Sequence, residues 1–261
     1  MFWTRVATSV VIAPVALGAV YYGFPVFQLF VALMAAAVIW EFVHIVGKAG
    51  FPPRAVLALW TTFVAIGLAT TNMPLALAVL FAAWLVLLAT DERGNRARLS
   101  STQTGLLYAG IPAVCLIAVR EIGGAETVFW VLAVVWATDI GAYFAGRSIG
   151  GPKLAPAISP NKTWSGALGG ALAAVITAVA LATALGIPSS LQSVLFALSL
   201  SVVSQIGDLA ESRFKRVHGV KDSGTWMPGH GGVMDRVDGL WAATPLAAII
   251  CAAFGGGMTS W

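Results

Sequence analysis

Charge is what this chain has least of. Only 10% of its 261 residues are Asp, Glu, Lys or Arg, against about 25% in an ordinary soluble domain. With 59% hydrophobic residues and a mean hydropathy of +0.87, too little polar surface remains to clothe a water-soluble fold. That excludes a cytosolic enzyme and a disordered chain. Cysteine is scarce too. The two present, Cys115 and Cys251, sit inside apolar runs, which excludes a disulfide scaffold and reads them as small buried hydrophobes. Period-two alternation is missing, so an outer-membrane barrel is excluded. No Gly-x-x-x-x-Gly-Lys-Ser/Thr loop occurs, and no His or Cys stands at zinc spacing.

What is present is a series of long apolar runs. A spanning helix needs about 20 mostly apolar residues. Nine runs come near that length: 6–22, 24–46, 55–71, 74–89, 105–119, 127–144, 165–185, 191–209 and 239–255. The expected fold is therefore an all-α integral membrane protein, a polytopic helical bundle of about nine transmembrane helices. Arg5 ahead of the first run imitates a signal peptide, but eight further runs make that irrelevant to the fold. With nine crossings, fourteen of the fifteen Lys and Arg fall on one side and only Arg120 on the other. Cytoplasmic loops carry the excess of basic residues, which puts the N-terminus and the large loops in the cytoplasm. The net charge of +4 is thus a membrane signal, and no nucleic-acid partner is expected. Small residues crowd the seventh run (Gly166, Gly169, Gly170, Ala173, Ala174) at spacings that let helices pack backbone to backbone. No linker or repeat divides the chain, so residues 1–261 are expected to form a single membrane domain.

A carboxylate in a bilayer needs a partner, water or a cation. Asp139 lies near the cytoplasmic end of the sixth run, Asp208 at that of the eighth, with Glu211 one turn later. Asp222, Asp235 and Asp238 precede the ninth. Topology brings all of these to one cytoplasmic face, where Glu41, near the end of the second run, is able to join them. On the same face stand Arg147, Lys162, Arg213, Lys215, Arg216, Lys221 and Arg236. Carboxylates suit a hard cation such as Mg²⁺, and cations suit phosphates. Gly224, Gly229, Gly231 and Gly232 make a loop whose backbone N–H groups can approach a phosphate, with His230 standing among them. Salt-bridged loop ends would be the plain alternative for these charges.

The stretch from Ser212 to Asp238 resembles the signature of the phosphatidate cytidylyltransferases, or CDP-diacylglycerol synthases. It carries Ser212, Phe214, Lys215, Arg216, Lys221, Asp222, Gly224, Met227, Pro228, His230, Gly231, Gly232, Val233, Asp235, Arg236, Val237 and Asp238 at that spacing. Upstream, 205–212, Asp139–Tyr143 with Gly146 and Arg147, and 159–164 with Gly166 are also similar to the family. The segment departs from the commonest form at Asn161 and Ser165, which are left out of the site. The first five runs resemble the family only in hydropathy. Residues 1–120 are accordingly expected to be scaffold, and 127–261 to carry the catalytic motifs.

The resemblance implies a Mg²⁺-dependent reaction of CTP with phosphatidic acid, giving CDP-diacylglycerol and pyrophosphate. It implies a multi-pass protein of a bacterial-type inner membrane with its active site facing the cytoplasm. The catalytic set it implies is Asp208, Asp235, Lys221, Asp222 and Arg236. The metal set is Asp208 and Asp235, supported by Asp238 and Asp139, and a second ion, divalent or monovalent, is admitted. Substrate binding falls to Ser159, Lys162, Thr163, Arg147, Ser212, Lys215, Arg216, Gly229, His230, Gly231 and Gly232. Trp164 and Trp226 either stack on cytosine or anchor at the membrane interface. Expected partners are CTP, phosphatidic acid and membrane lipids, and the small-residue faces admit a homodimer. Two rivals remain open at this point: a CTP-dependent lipid kinase, and a transporter whose intramembrane carboxylates relay cations.

Overall fold

The computed structural model describes residues 2–47, 52–90, 101–187, 190–226 and 231–261. Among these, eight helices and one small two-stranded sheet form in the order α1 (Phe2–Tyr22), α2 (Val26–Gly47), α3 (Pro53–Ala69), α4 (Met73–Ala89), α5 (Ser101–Ser148), β1 (Lys153–Ala155), β2 (Ser159–Thr163), α6 (Trp164–Ala184), α7 (Leu191–Val217) and α8 (Met234–Phe254). The protein is an all-α membrane protein. Among the described residues, five helices are long and apolar enough to cross a bilayer: α2, α5, α6, α7 and α8.

The nine expected runs appear as eight helices because the fifth and sixth are joined end to end in α5. Gly124, at φ 78° and ψ 175°, breaks the helical geometry inside it. Only glycine takes that conformation without strain, and a Cβ there would also meet Glu126 Oε2 at 2.7 Å. Two further boundaries move. α7 continues two turns past the expected end, taking Glu211, Lys215 and Arg216 onto the helix. At 1.5 Å per residue its 27 residues reach about 40 Å, beyond a hydrocarbon core of about 30 Å, so the charged turns need not lie in lipid. α8 starts five residues before the expected span, so Asp235 and Asp238 lie on it rather than ahead of it. Of the basic residues that set the expected orientation, Lys48, Arg93, Arg96 and Arg98 lie outside the described residues.

The chain forms two compact units, residues 1–121 with 220–236, and 122–219 with 237–261. In the first, α1 packs on α2, α2 on α3 and α3 on α4. Its core holds Phe27, Ile39 and Phe42 of α2, Leu80 and Leu87 of α4, and Leu106 and Ile117 of α5. Buried Gln103 donates to the Leu87 carbonyl at 2.9 Å, satisfying an acceptor at the end of α4. In the second, α6 packs on α7. The expected backbone-to-backbone packing is present there: a Cβ on Gly170 would meet the Thr138 carbonyl oxygen at 2.7 Å, and one on Gly166 the Ala142 carbonyl at 2.9 Å. α6 thus rests directly on the last turns of α5. Gly207 of α7 makes the same kind of approach to Ala242 and the Asp238 carbonyl of α8. The antiparallel pair β1–β2 joins α5 to α6 and pairs Lys153 with Thr163 and Ala155 with Ser159.

Candidate active site

In the first unit the signature segment is tied to α2 by one carboxylate. Glu41 is 2% exposed. Its Oε1 accepts from Val233 N at 2.7 Å, and its Oε2 accepts from Met234 N at 2.9 Å and Ser223 Oγ at 2.7 Å. Val233 and Met234 stand at the N-terminus of α8, where N–H groups lack helical partners and a negative charge is favoured. Glu41 therefore caps a helix from 193 residues away in sequence. Asp235 faces the same serine. Its Oδ2 accepts from Ser223 N at 2.8 Å and Gly232 N at 2.9 Å, and lies 3.0 Å from Ser223 Oγ.

Three glycines leave room for these carboxylates. A Cβ on Gly232 would collide with Ser223 Oγ and both Glu41 oxygens, and one on Gly224 would meet Glu41 Oε1 at 2.8 Å. Gly231, at φ +82°, lets the turn pass over Asp235 Oδ2. Lys221, Asp222 and Arg236 are exposed around this turn. Trp226 is exposed as well, with its ring 6.3 Å from that of Trp40 on α2. Gly229 and His230, expected in the nucleotide loop, lie outside the described residues.

In the second unit the charges gather where α5, the β1–β2 pair, α7 and α8 meet. Lys162 Nζ of β2 pairs with Asp208 Oδ2 of α7 at 2.5 Å, and Ser212 Oγ lies 3.4 Å from Asp208 Oδ1. Asp238 of α8 feels the charges of Asp208, Asp139 and Lys215. Lys215 in turn pairs with Glu211 at 3.0 Å, and Glu211 is buried. Arg147 Nη1 donates to Tyr143 OH at 2.7 Å, one turn back on α5. Arg216 is exposed in the last turn of α7. Ser159 is half-buried on β2. Thr163 is buried and caps α6, its Oγ1 accepting from Gly166 N at 3.1 Å. That hydroxyl is spent on the helix, so what Thr163 offers the site is the fixed start of α6. Ser165, set aside in the sequence, donates to the Gly150 carbonyl and contacts Thr163 Oγ1. Trp164 is exposed at the first position of α6.

The structure thus places Asp139, Lys162, Asp208, Ser212, Lys215 and Asp238 in one cluster, and Asp222, Gly231, Gly232 and Asp235 in the other. Sequence reasoning missed Ser223, which carries no motif of its own. It also left open the role of Glu41. An acidic residue six positions from the end of an apolar run is the signal that points to it.

Among the described residues, no three His, Cys, Asp or Glu side chains stand close enough to hold a metal ion by themselves. The donor chemistry nonetheless fits Mg²⁺. That ion keeps several waters and is held by one or two carboxylates together with substrate phosphates, rather than by an all-protein cage. Asp208 and Asp238 supply such oxygens beside the ammonium groups of Lys162 and Lys215.

Helices long and apolar enough to cross a bilayer define a class, the helical integral membrane proteins. The comparisons narrow it. A model of the cytidylyltransferase family matches residues 3–254. A phosphatidate cytidylyltransferase of Brucella suis is 41% identical over 256 residues, covering 96% of this chain and 93% of the relative. One from Pseudomonas aeruginosa is 39% identical over 276 residues, covering 98% and 99%. One from Bacillus subtilis is 38% identical over 151 residues, covering 57% and 56%. The chain belongs to the cytidylyltransferase family and is a nucleotidyl-transferring enzyme.

Proposed function

We propose that this enzyme transfers the cytidylyl group of CTP to phosphatidic acid, releasing pyrophosphate, in a Mg²⁺-dependent reaction at the cytoplasmic face of a bacterial inner membrane. The observation that carries the reading is the family match, which runs from residue 3 to 254 and so contains every charged residue of both clusters. The relatives named phosphatidate cytidylyltransferase supply the substrates.

A phosphate oxygen of phosphatidic acid forms a bond to the α-phosphorus of CTP. The bond from that phosphorus to the bridging oxygen breaks, and pyrophosphate leaves with the electron pair. The nucleophile is already an anion, so no side chain has to remove a proton. The protein's work is to bring two anions together and offset their charge. Lys162, Arg147, Lys215, Arg216, Lys221 and Arg236 do this, with Ser159, Ser212 and the backbone of 229–232 binding substrate. Asp208 and Asp235, with Asp238 and Asp139, are the oxygens that would hold Mg²⁺, which when bound supplies positive charge to the triphosphate. The nine-span arrangement with a cytoplasmic N-terminus, and the use of the chain as one membrane domain with residues 1–120 as its scaffold, belong to the same reading.

The test is purified protein in detergent with labelled CTP and phosphatidic acid. CDP-diacylglycerol and pyrophosphate are expected, formation stops with a chelator, and Asp208→Asn or Asp235→Asn lowers the rate about 100-fold or more. Phosphorylated lipid with free CDP would instead make the enzyme a lipid kinase. Movement of a solute across liposomes without CTP consumption would make it a transporter.

A further inference from the structure

Glu41 lies on α2, far from the signature in sequence, yet its carboxylate touches the signature at three points. We infer that Glu41 is a positioning residue for the reaction. Through Ser223 and the first N–H groups of α8 it sets the place of Asp235 and of the Gly231–Val233 turn.

Glu41 Oε1 has Val233 N, and Oε2 has Met234 N and Ser223 Oγ. Asp235 Oδ2 has Ser223 N and Gly232 N. The Ser223 hydroxyl carries one proton and faces two carboxylates, at 2.7 Å from Glu41 and 3.0 Å from Asp235. The shorter contact gives that proton to Glu41. Asp235 Oδ2 then keeps two backbone donors. Backbone donors fix a carboxylate more tightly than a mobile side chain would. Glu41 takes the two N–H groups at the start of α8 and Asp235 the two in the signature loop, and the Ser223 hydroxyl joins the two carboxylates, so the buried Glu41 carboxylate ties the start of α8 to the loop. Burial raises the stakes, since each of these groups left unpaired in the protein interior is costly.

Replacing the carboxylate with an amide changes the pattern without changing the shape. In Glu41→Gln, the amide nitrogen has no lone pair for Val233 N or Met234 N. It donates instead to Ser223 Oγ, whose proton turns to Asp235 Oδ2. The start of α8 loses an acceptor, and Asp235 gains a donor that drains its charge.

The kinetic arm of the test rests on the reaction proposed above; the exchange arm does not. Expected in Glu41→Gln is a kcat about tenfold or more below wild type, with the KM for phosphatidic acid little changed. Amide hydrogen exchange should speed up at Ser223 and at Gly232 to Met234, while the amides of α6 and of α7 up to residue 209 keep their protection. Ser223→Ala removes only the bridge and should produce a smaller loss of the same kind. The two substitutions combined should fall short of the product of their separate effects. Wild-type exchange and wild-type kcat in Glu41→Gln would overturn the inference. So would loss of protection spread evenly over all helices, which marks a merely structural role. If Glu41→Gln does not insert, Ser223→Ala decides: unchanged exchange at Gly232–Met234 together with unchanged kcat overturns the inference.

Discussion

Lys162 and Asp208 form an ion pair with side chains 26% and 34% exposed. A pair that open to solvent contributes at most about 1 kcal/mol to stability. Under the proposed function, its place among Asp139, Asp238 and Lys215 gives it another use, as the positive edge of the carboxylate cluster that meets the anionic substrate. Lys162→Met should therefore leave the melting temperature in detergent within a few degrees of wild type, while kcat/KM for CTP falls about 100-fold. A parallel loss of both would assign the pair to folding. Asp235 differs in kind. With Oδ2 held by Ser223 and Gly232, its substitution disturbs the loop as well as the chemistry. The legibility of the site divides along the same line. Asp208, Asp235 and Lys162 are visible in the sequence because their types and spacing match a signature. The link between Glu41 and Ser223 spans 182 residues, and no local pattern in one sequence encodes a contact that distant.

Among the elements, the glycines of α6 separate two meanings of the same residue. Gly170 has the Thr138 carbonyl oxygen 2.7 Å from where a Cβ would stand, and a backbone atom cannot swing aside. Gly67 of α3 has nothing within 4 Å of that position. Gly170→Ala is expected to destabilise the protein by about 1–3 kcal/mol through overpacking. Gly67→Ala is expected to be neutral, or stabilising by up to about 1 kcal/mol through helix propensity. Thermal unfolding of the two variants in one detergent checks both. The helices were legible because 20 apolar residues in a row have few other uses. Their ends were less so. The charged turns of α7 and the first turn of α8 look like loop to a reader of hydropathy, and the cap of α8 comes from Glu41, far away in sequence. The strands β1 and β2 were hidden because 153–163 mixes Pro, Lys and Ser with no alternation.

At the scale of the molecule, the basic residues gather on one side of the expected spans, and the proposed function requires the charged clusters to face that side. Cysteine labelling tests this directly. Cys115 and Cys251 are 3% and 0% exposed, so they form a silent background. A cysteine at exposed Ser148 should react with a membrane-impermeant thiol reagent only from the cytoplasmic side, and one at exposed Thr259 only from the outside. Labelling of both from the same side would remove one crossing from the count, and the orientation of the site with it.

The acceptor and donors at Glu41 also have an order in time. The carboxylate leaves the ribosome well before the amides that will satisfy it, since Val233 follows it by 192 residues. Throughout that interval α2 carries an acid whose burial costs at least a few kcal/mol. α8, made later, therefore satisfies α2. A nascent chain stopped short of residue 233 lacks the amides at the start of α8 that satisfy this acid.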